Sequence, residues 1–460
     1  MTKQQYQLWI LEHQSDDYIL ERKNEDLIQL DTSYAVASVQ FSSIEDNTLV
    51  EISIVSKKDE RTKFYLHFEL KEEEHAKKLF DEMVKTLIRL KGEKKVRVLL
   101  SCSAGLTTSM FASMLTEATD TLGLDYEFNA VSYMNIYEEA DHYDLILIAP
   151  QIGYMLSRLT SSLPDHLILQ IPTAYFASYN TGETIQFIQK SLNDYCRKKN
   201  ENKKKICHCK KSQKRILSIV IQINKNKQRI SYRLYNKNEV LDENLIIKPT
   251  YRIQDLYDII DTLLLKYTFI DCISIATPGI VNDNKHFVDA YTGSIIDIHE
   301  SFEEKYHIST YVFNNANAAC VGFSLEHPEY SHIIFHSQPF GAGHGGQGII
   351  ANKMLLTGYK GIAGELRYYL HRMQLSDDEN KLIWTEAGAL EVVTKALLPS
   401  IITIGPEAVA ISCRMTPDMK EIKKTLSSFI PEEYLPEFYS IQDPIPYMLD
   451  GLAHLADEII

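Results

Sequence analysis

The sequence has no long apolar run. Its strongest hydrophobic stretches, such as Leu145 to Ala149, fall far short of the roughly 20 residues a bilayer-spanning helix needs. The start, MTKQQYQLW, lacks a charged-then-apolar leader pattern. These absences lead to the expectation of a cytoplasmic protein that does not span a membrane. Positive charge is in deficit: 48 Lys and Arg stand against 62 Asp and Glu, a formal net charge of -14. That balance argues against an overall footprint for nucleic acid or an anionic membrane. Cysteine is sparse as well. Seven thiols in 460 residues do not suit a disulfide framework, and in a reducing compartment they read as buried or reactive groups.

What is present is an ordinary globular composition, 45% hydrophobic and 24% charged, which rules out a disordered or fibrous chain. At about 150 residues per domain, the length suits roughly three domains. Residues 1 to 92 alternate in strand fashion, with Phe64, Leu66, Phe68 and Leu70 against Tyr65, His67 and Glu69, as in a half-buried antiparallel sheet. A helix should follow, because Leu79, Phe80, Met83, Val84, Leu87 and Ile88 fall on one face at helical spacing. No pair of helices with the short turn of a helix-turn-helix is evident there.

From Lys94 the pattern changes to apolar strands alternating with amphipathic helices, which predicts a parallel α/β unit closing near Cys196. The run from Arg197 to Arg215 then carries ten basic residues against one acid, the composition of a solvated linker or of a nucleic-acid contact. Within it, Cys207-His208-Cys209 does not supply the four spaced ligands that a structural zinc wants, so no metal is expected. Beyond Arg215, strands at Ile216 to Ile223, Cys272 to Ile275 and Ile333 to His336 alternate with helices in a second, larger α/β domain.

The most informative short segment is V-L-L-S-C-S-A-G-L-T-T-S. It places Cys102 directly after a hydrophobic strand, with Ser103, Ala104, Gly105, Leu106, Thr107, Thr108 and Ser109 leading into a helix. Small side chains let backbone amides approach an anion, and the helix dipole favours negative charge above the sulfur. The same field lowers a thiol pKa and suits Cys102 to be a nucleophile that then holds a phosphoryl group. The alternative is a buried cysteine at a strand end. A thiol phosphatase would place an arginine at the far end of the loop, where this chain has Thr107 and Thr108.

Residues 94 to 195, with C-S-A-G-L-T-T-S and then Y-D-L-I-L-I-A-P-Q-I-G-Y-M-L, resemble the lactose/cellobiose-class enzyme IIB domain of the bacterial sugar phosphotransferase system. The resemblance implies that Cys102 is the phosphoacceptor and that Ser103 to Ser109 form its cradle. It implies as partners a IIA-like phosphoryl donor and a membrane IIC permease. Pro150 and Gln151 match the family's second loop, whereas I-P-T-A-Y-F-A-S-Y-N-T-G departs from the usual pattern.

Farther on, Gly341, Gly343, Gly345 and Gly346 form a glycine-rich turn between apolar strands, where backbone could approach a phosphate or a sugar. With A-T-P-G-I-V-N, F-N-N-A-N-A-A-C-V-G and G-Y-K-G-I-A-G-E-L, residues 215 to 460 resemble the ROK family of sugar kinases and sugar-responsive repressors. This implies an actin-like fold and, as a family expectation, a homodimer. The phosphate loop departs from the family: Gln222-Ile223-Asn224-Lys225-Asn226 replaces Asp-x-Gly-Gly-Thr. The catalytic aspartate falls at Asn315, and an amide has no useful basicity, which removes a factor of about a hundred or more. Gly364-Glu365-Leu366-Arg367-Tyr368 replaces Gly-Glu-Leu-Gly-His, and the zinc loop is missing. Asn314, Asn315 and Glu365 remain as residues able to contact a small sugar, or, for Asn314 and Glu365, to serve as a cap and a satisfied carboxylate.

The fold class expected is α/β multidomain: a small α+β module over 1–92, a IIB-like parallel α/β domain over 93–196, a basic linker over 197–214 and an actin-like, two-lobed ROK-type domain over 215–460. The functional expectation is a phosphotransferase-linked sugar-sensing protein. It would carry phosphate on Cys102 and need no cofactor, neither ATP with magnesium nor nucleic acid being expected. An active sugar kinase and a sugar-responsive transcription regulator are the alternatives.

Overall fold

The alternation at Phe64 to Leu70 builds the fifth strand of an antiparallel series, Ile19–Arg22, Leu27–Asp31, Ala35–Ile44, Asn47–Ser56 and Thr62–Glu69. In the computed structural model all residues are described except 45–46, 58–60, 94–95, 104–105, 123, 164–165, 200–213, 224–227, 237–238, 251, 268, 289–293, 339–344, 371, 414, 416–417 and 460. The amphipathic helix Glu73–Arg89 buries Leu79, Phe80, Met83 and Leu87, as its spacing predicts, whereas Val84 is half-buried and Ile88, at the end of that face, is exposed.

The N-terminal segment nevertheless does not stand alone. Tyr65 pairs with Ile247 of strand Glu239–Lys248, so the five strands continue into the next lobe as one ten-stranded sheet. One buried apolar cluster runs from Tyr6 and Phe64 to Ile273 and Val312. Across the seam, the ammonium of Lys248 lies 2.6 Å from Asp255 and 3.1 Å from Glu82. His75 Nε2 sits 2.9 Å from Asp258. His67 and Glu69, on the polar side of the alternation, are buried rather than exposed. The added strands explain the difference: the His67 ring lies edge-on to Tyr232 of the neighbouring lobe, and burial lowers its pKa to about 3.

The second half of the ten-stranded sheet and a separate five-stranded sheet share a single plan. In the first lobe the spatial order is Glu239–Lys248, Gln228–Asn236, Arg215–Ile223, Cys272–Thr277 and Ser309–Asn314. In the second it is Met354–Leu355, Gly346–Ala351, Ile333–Gln338, Ala408–Cys413 and Glu437–Ser440. In each, the first strand made is central, its two successors pair antiparallel on one side, and the last two add in parallel on the other. This repetition is the actin-like architecture expected for this part of the chain.

Helices Asn315–Glu326 and Ile445–Ile459 cross between the lobes and share a core with both sheets. Their close approach depends on Gly322 and Gly451, because a Cβ on Gly451 would run into the Ala318 carbonyl and one on Gly322 into that of Tyr447. Overpacking here has no flexible side chain to absorb it. Gly451→Val should lower stability by about 3 kcal/mol or more. A chemical denaturation midpoint equal to that of the parent chain would contradict this.

The thiol domain has four parallel strands in the order Tyr126–Ser132, Val96–Cys102, Leu145–Ile148 and Leu167–Gln170. Tyr126–Ser132 is not evident from the sequence, since as an edge strand it mixes Glu127 and Asn129 with Tyr126 and Phe128. Helix Thr181–Lys199 enters the basic segment, and Cys207-His208-Cys209 lie outside the described residues. Among the described residues, helix Glu386–Ile404 is long and apolar enough to cross a membrane by length and composition. Here its Val393, Leu397 and Ile401 pack on Ile334, Val409 and Ile411 of the second lobe.

Candidate functional site

Strand Val96–Cys102 is central in its sheet, and its apolar residues Val98 to Leu100 are fully buried. It delivers Cys102 to the carboxyl edge, where open α/β sheets hold ligands. Helix Leu106–Thr121 starts immediately after. Cys102 is only 4% exposed, and the buried Thr108 hydroxyl donates to its sulfur at 3.3 Å. Ser103, Thr107 and Ser109 are exposed. Ala104, Gly105 and the Leu106 side chain lie outside the described residues.

Two neighbouring strand ends frame the thiol. Ser132 donates through Oγ to the Ser103 carbonyl at 3.3 Å, and the Ala149 amide donates to the Ser101 carbonyl at 2.8 Å. The turn Pro150–Met155 follows, carrying Pro150 and Gln151. A groove of about 820 Å³, lined by Ser109, Ser113, Thr116, Phe128 and Asn129, runs along the thiol helix. The other described cysteines are differently placed. Burial pushes the Cys272 thiol up to about 12 and raises that of Cys320 as well, so both are inert core groups, whereas Cys102 meets a hydroxyl and a helix start.

The second candidate site lies between the lobes. Asn314 caps helix Asn315–Glu326: its Oδ1 accepts from the amides of Ala316 at 2.8 Å and Asn317 at 3.2 Å, and its Nδ2 donates to the Gly279 carbonyl at 2.8 Å. The amide is thus engaged on both sides by backbone. Asn315 donates to the Ile221 carbonyl at 3.1 Å, and its buried Oδ1 has no hydrogen-bond partner among the described residues.

Gly346 forms an isolated bridge with Glu365, and a Cβ on Gly346 would stand 3.8 Å from that of Ala316. The asparagine pair, the glycine strand and Glu365 are thereby brought together. Burial raises the Glu365 pKa, with the Arg367 charge opposing. Gly345 fits against the Ser337 carbonyl, while Gly341 and Gly343 lie outside the described residues. Gly361, at φ +75°, touches the Val281 carbonyl and so links the second lobe to the strand Ile280–Asn282. Among the described residues, no group of three or more His, Cys, Asp or Glu is placed to hold a metal ion.

Residues 97–185 match the family described as PTS system, Lactose/Cellobiose specific IIB subunit, and residues 228–374 match the ROK family. The chain joins a IIB-like domain to a ROK-like domain. The IIB-like part is similar to the PTS system oligo-beta-mannoside-specific EIIB component of Bacillus subtilis (strain 168), at 25% identity over 96 residues, 21% of this chain and 92% of that protein. The ROK-like part is similar to a ROK family protein from Streptococcus pneumoniae TIGR4 in complex with sucrose, at 19% identity and TM-score 0.40, covering 53% of this chain and 99% of that one. It is also similar to a ROK family glucokinase from Streptomyces griseus in complex with glucose and AMPPNP, at 15% identity and TM-score 0.41, covering 53% and 99%. The lactose-specific IIB component domain from Streptococcus pneumoniae aligns at 20% identity and TM-score 0.21, covering 21% and 98%.

The elements that join the IIB-like domain to the ROK-like domain escape a reading of the sequence. Tyr137, Arg158 and Glu386 meet in space, and no motif ties them together.

Proposed function

We propose that this protein is a phosphotransferase-linked sugar sensor, phosphorylated on Cys102 and reading a small sugar in the cleft between its ROK-like lobes. The observation that carries this reading is the contrast between the two sites: Cys102 has its hydroxyl donor and helix start, whereas an amide occupies position 315 where a kinase needs a base. In the transfer step the Cys102 thiolate attacks phosphorus. An S–P bond forms as the N–P bond to a histidine of a IIA-like donor breaks, and the Thr108 hydroxyl and helix amides stabilise the added charge. Onward transfer would go to sugar held by a IIC-like permease. The protein would act in the cytoplasm, without a cofactor, and as a homodimer.

In the cleft, Glu365 is the group suited to accept hydrogen bonds from sugar hydroxyls as a carboxylate. Its folded pKa is raised by burial, so it protonates at a higher pH than an ordinary glutamate and loses acceptor capacity there. Binding from a panel of mono- and disaccharides, measured calorimetrically, should weaken as pH falls through that raised pKa. Glu365→Gln should bind about ten-fold more weakly and without that pH dependence. Equal pH profiles for the two proteins would remove Glu365 from the site. Robust ATP-dependent sugar phosphorylation by the parent chain would overturn the sensor reading in favour of a kinase.

A further inference from the structure

The IIB-like domain is inserted between two segments that fold as one body, the N-terminal strands and the first ROK-like lobe, yet its apolar face is seated on the second lobe. Ile136, Tyr137, Ile152, Met155 and Leu159 share a buried cluster with Ala389 and Met415. Around this seam Glu386, in the first turn of helix Glu386–Ile404, accepts from the Tyr137 hydroxyl at 3.0 Å and pairs with Arg158 at 2.6 Å. Tyr137 is 3% exposed, so the contact is dry at its centre.

The other attachment is covalent and short. Leu90 is anchored in the core of the first body, and strand Val96–Cys102 begins six residues later, which limits the span to about 20 Å. From Lys199 to Arg215 the return connection is longer in sequence. The two lobes meet through the crossing helices Asn315–Glu326 and Ile445–Ile459 and, at the cleft mouth, where Gly361 rests on Val281.

We infer that the IIB-like domain is a brace between the lobes: docked on the second and short-tethered to the first, it fixes how far the cleft opens, and undocking it frees the lobes to move about the crossing helices. Hinge motion between packed lobes is the usual way such clefts open, and a domain bound to one arrangement of the lobes stabilises it. The seam is also next to the thiol. The docked turn Pro150–Met155 starts one residue beyond Ala149, whose amide bonds Ser101 beside Cys102. Charge arriving on Cys102 therefore acts at the edge of the docking face, and the cleft feels it as a change in bracing. Its regulatory meaning rests on the sensor reading above; the brace itself requires neither a sugar nor a phosphoryl donor.

Hydrogen exchange of the full chain tests the brace without either. Arg158→Glu places like charges at the seam, so amides in 150–162 and 386–393 should exchange about ten-fold faster or more. The cleft-mouth amides in 280–282 and 358–362, around the Gly361–Val281 contact, should accelerate with them. Combining Arg158→Glu with Glu386→Arg should restore both sets. Ala389→Asp, which puts a charge into the apolar part of the same seam, provides a second way to undock. Protection of Val98 to Leu100 in every variant shows that the IIB-like domain is still folded. Faster exchange at the seam with unchanged exchange at the cleft mouth, in both undocking variants, would overturn the brace. Failure of Cys102 to accept phosphate would not.

Discussion

Cys102→Ser should reduce phosphoryl uptake from a phosphoenolpyruvate-driven IIA-like relay from one group per chain to none, read as intact mass. The serine hydroxyl fits the same space, but it is far less acidic than a thiol, and the helix-start field that favours a thiolate cannot ionise it at neutral pH. The other described cysteines cannot substitute in the wild type. Cys272 and Cys320 are buried with raised pKa values, and Cys413 lies against the IIB-like seam. Thr108→Val is the subtler companion. It removes the hydroxyl that donates to the sulfur at 3.3 Å while keeping the branched shape, and should slow uptake about ten-fold, the worth of one hydrogen bond to a charged group. Uptake by Cys102→Ser equal to wild type would end the phosphocarrier reading.

Lys248→Met should cost about 3–5 kcal/mol at neutral pH, because it leaves two carboxylates buried without their cation. Lys248 is 2% exposed, with Asp255 at 2.6 Å and Glu82 at 3.1 Å. Burial raises the Asp255 pKa in the folded chain, and Lys248 opposes the rise. A raised folded pKa means that the folded state binds the proton more readily than the unfolded state. Its contribution to stability is therefore full below the ordinary carboxylate pKa and is lost as pH rises through the folded one. Without Lys248 the folded pKa climbs further, so the deficit of Lys248→Met should be largest at neutral and alkaline pH and shrink on acidification. Adding Glu82→Gln and Asp255→Asn should recover most of the loss. Because Glu82 comes from the N-terminal segment and Lys248 and Asp255 from the first lobe, denaturation should take both apart in one transition. Separate transitions, or a deficit that grows on acidification, would contradict this account.

These two cases show what was legible in the sequence. The thiol site is local: strand, small loop and helix follow one another within a few residues, so V-L-L-S-C-S-A-G-L-T-T-S states its own chemistry. Phe64, Leu66, Phe68 and Leu70 likewise declare their strand, and all four are buried. Residues 1–92 read as a small α+β module, but the strand that completes their sheet begins at Glu239, and pairing across that separation leaves no periodic trace. Lys248, a lone cation directly after Leu245-Ile246-Ile247, is the available hint, and it acquires meaning only when Glu82 and Asp255 are placed beside it. The docking seam was less legible still. Ile152, Met155 and Leu159 read as ordinary core positions, and nothing in their spacing indicates that Ala389 and Met415 cover them.

The continuous ten-stranded sheet also sets an order for synthesis. Strand Thr62–Glu69 leaves the ribosome long before Glu239–Lys248, its only partner on that side, and at usual elongation rates the wait is on the order of ten seconds or more. For that interval the strand presents an unpaired edge, the kind of surface that recruits other chains, while the IIB-like domain emerges and folds beside it. The insertion of a whole domain between the two halves of a sheet therefore turns a feature of the finished fold into a hazard of its assembly, and yield under fast expression should depend on how soon that edge is closed.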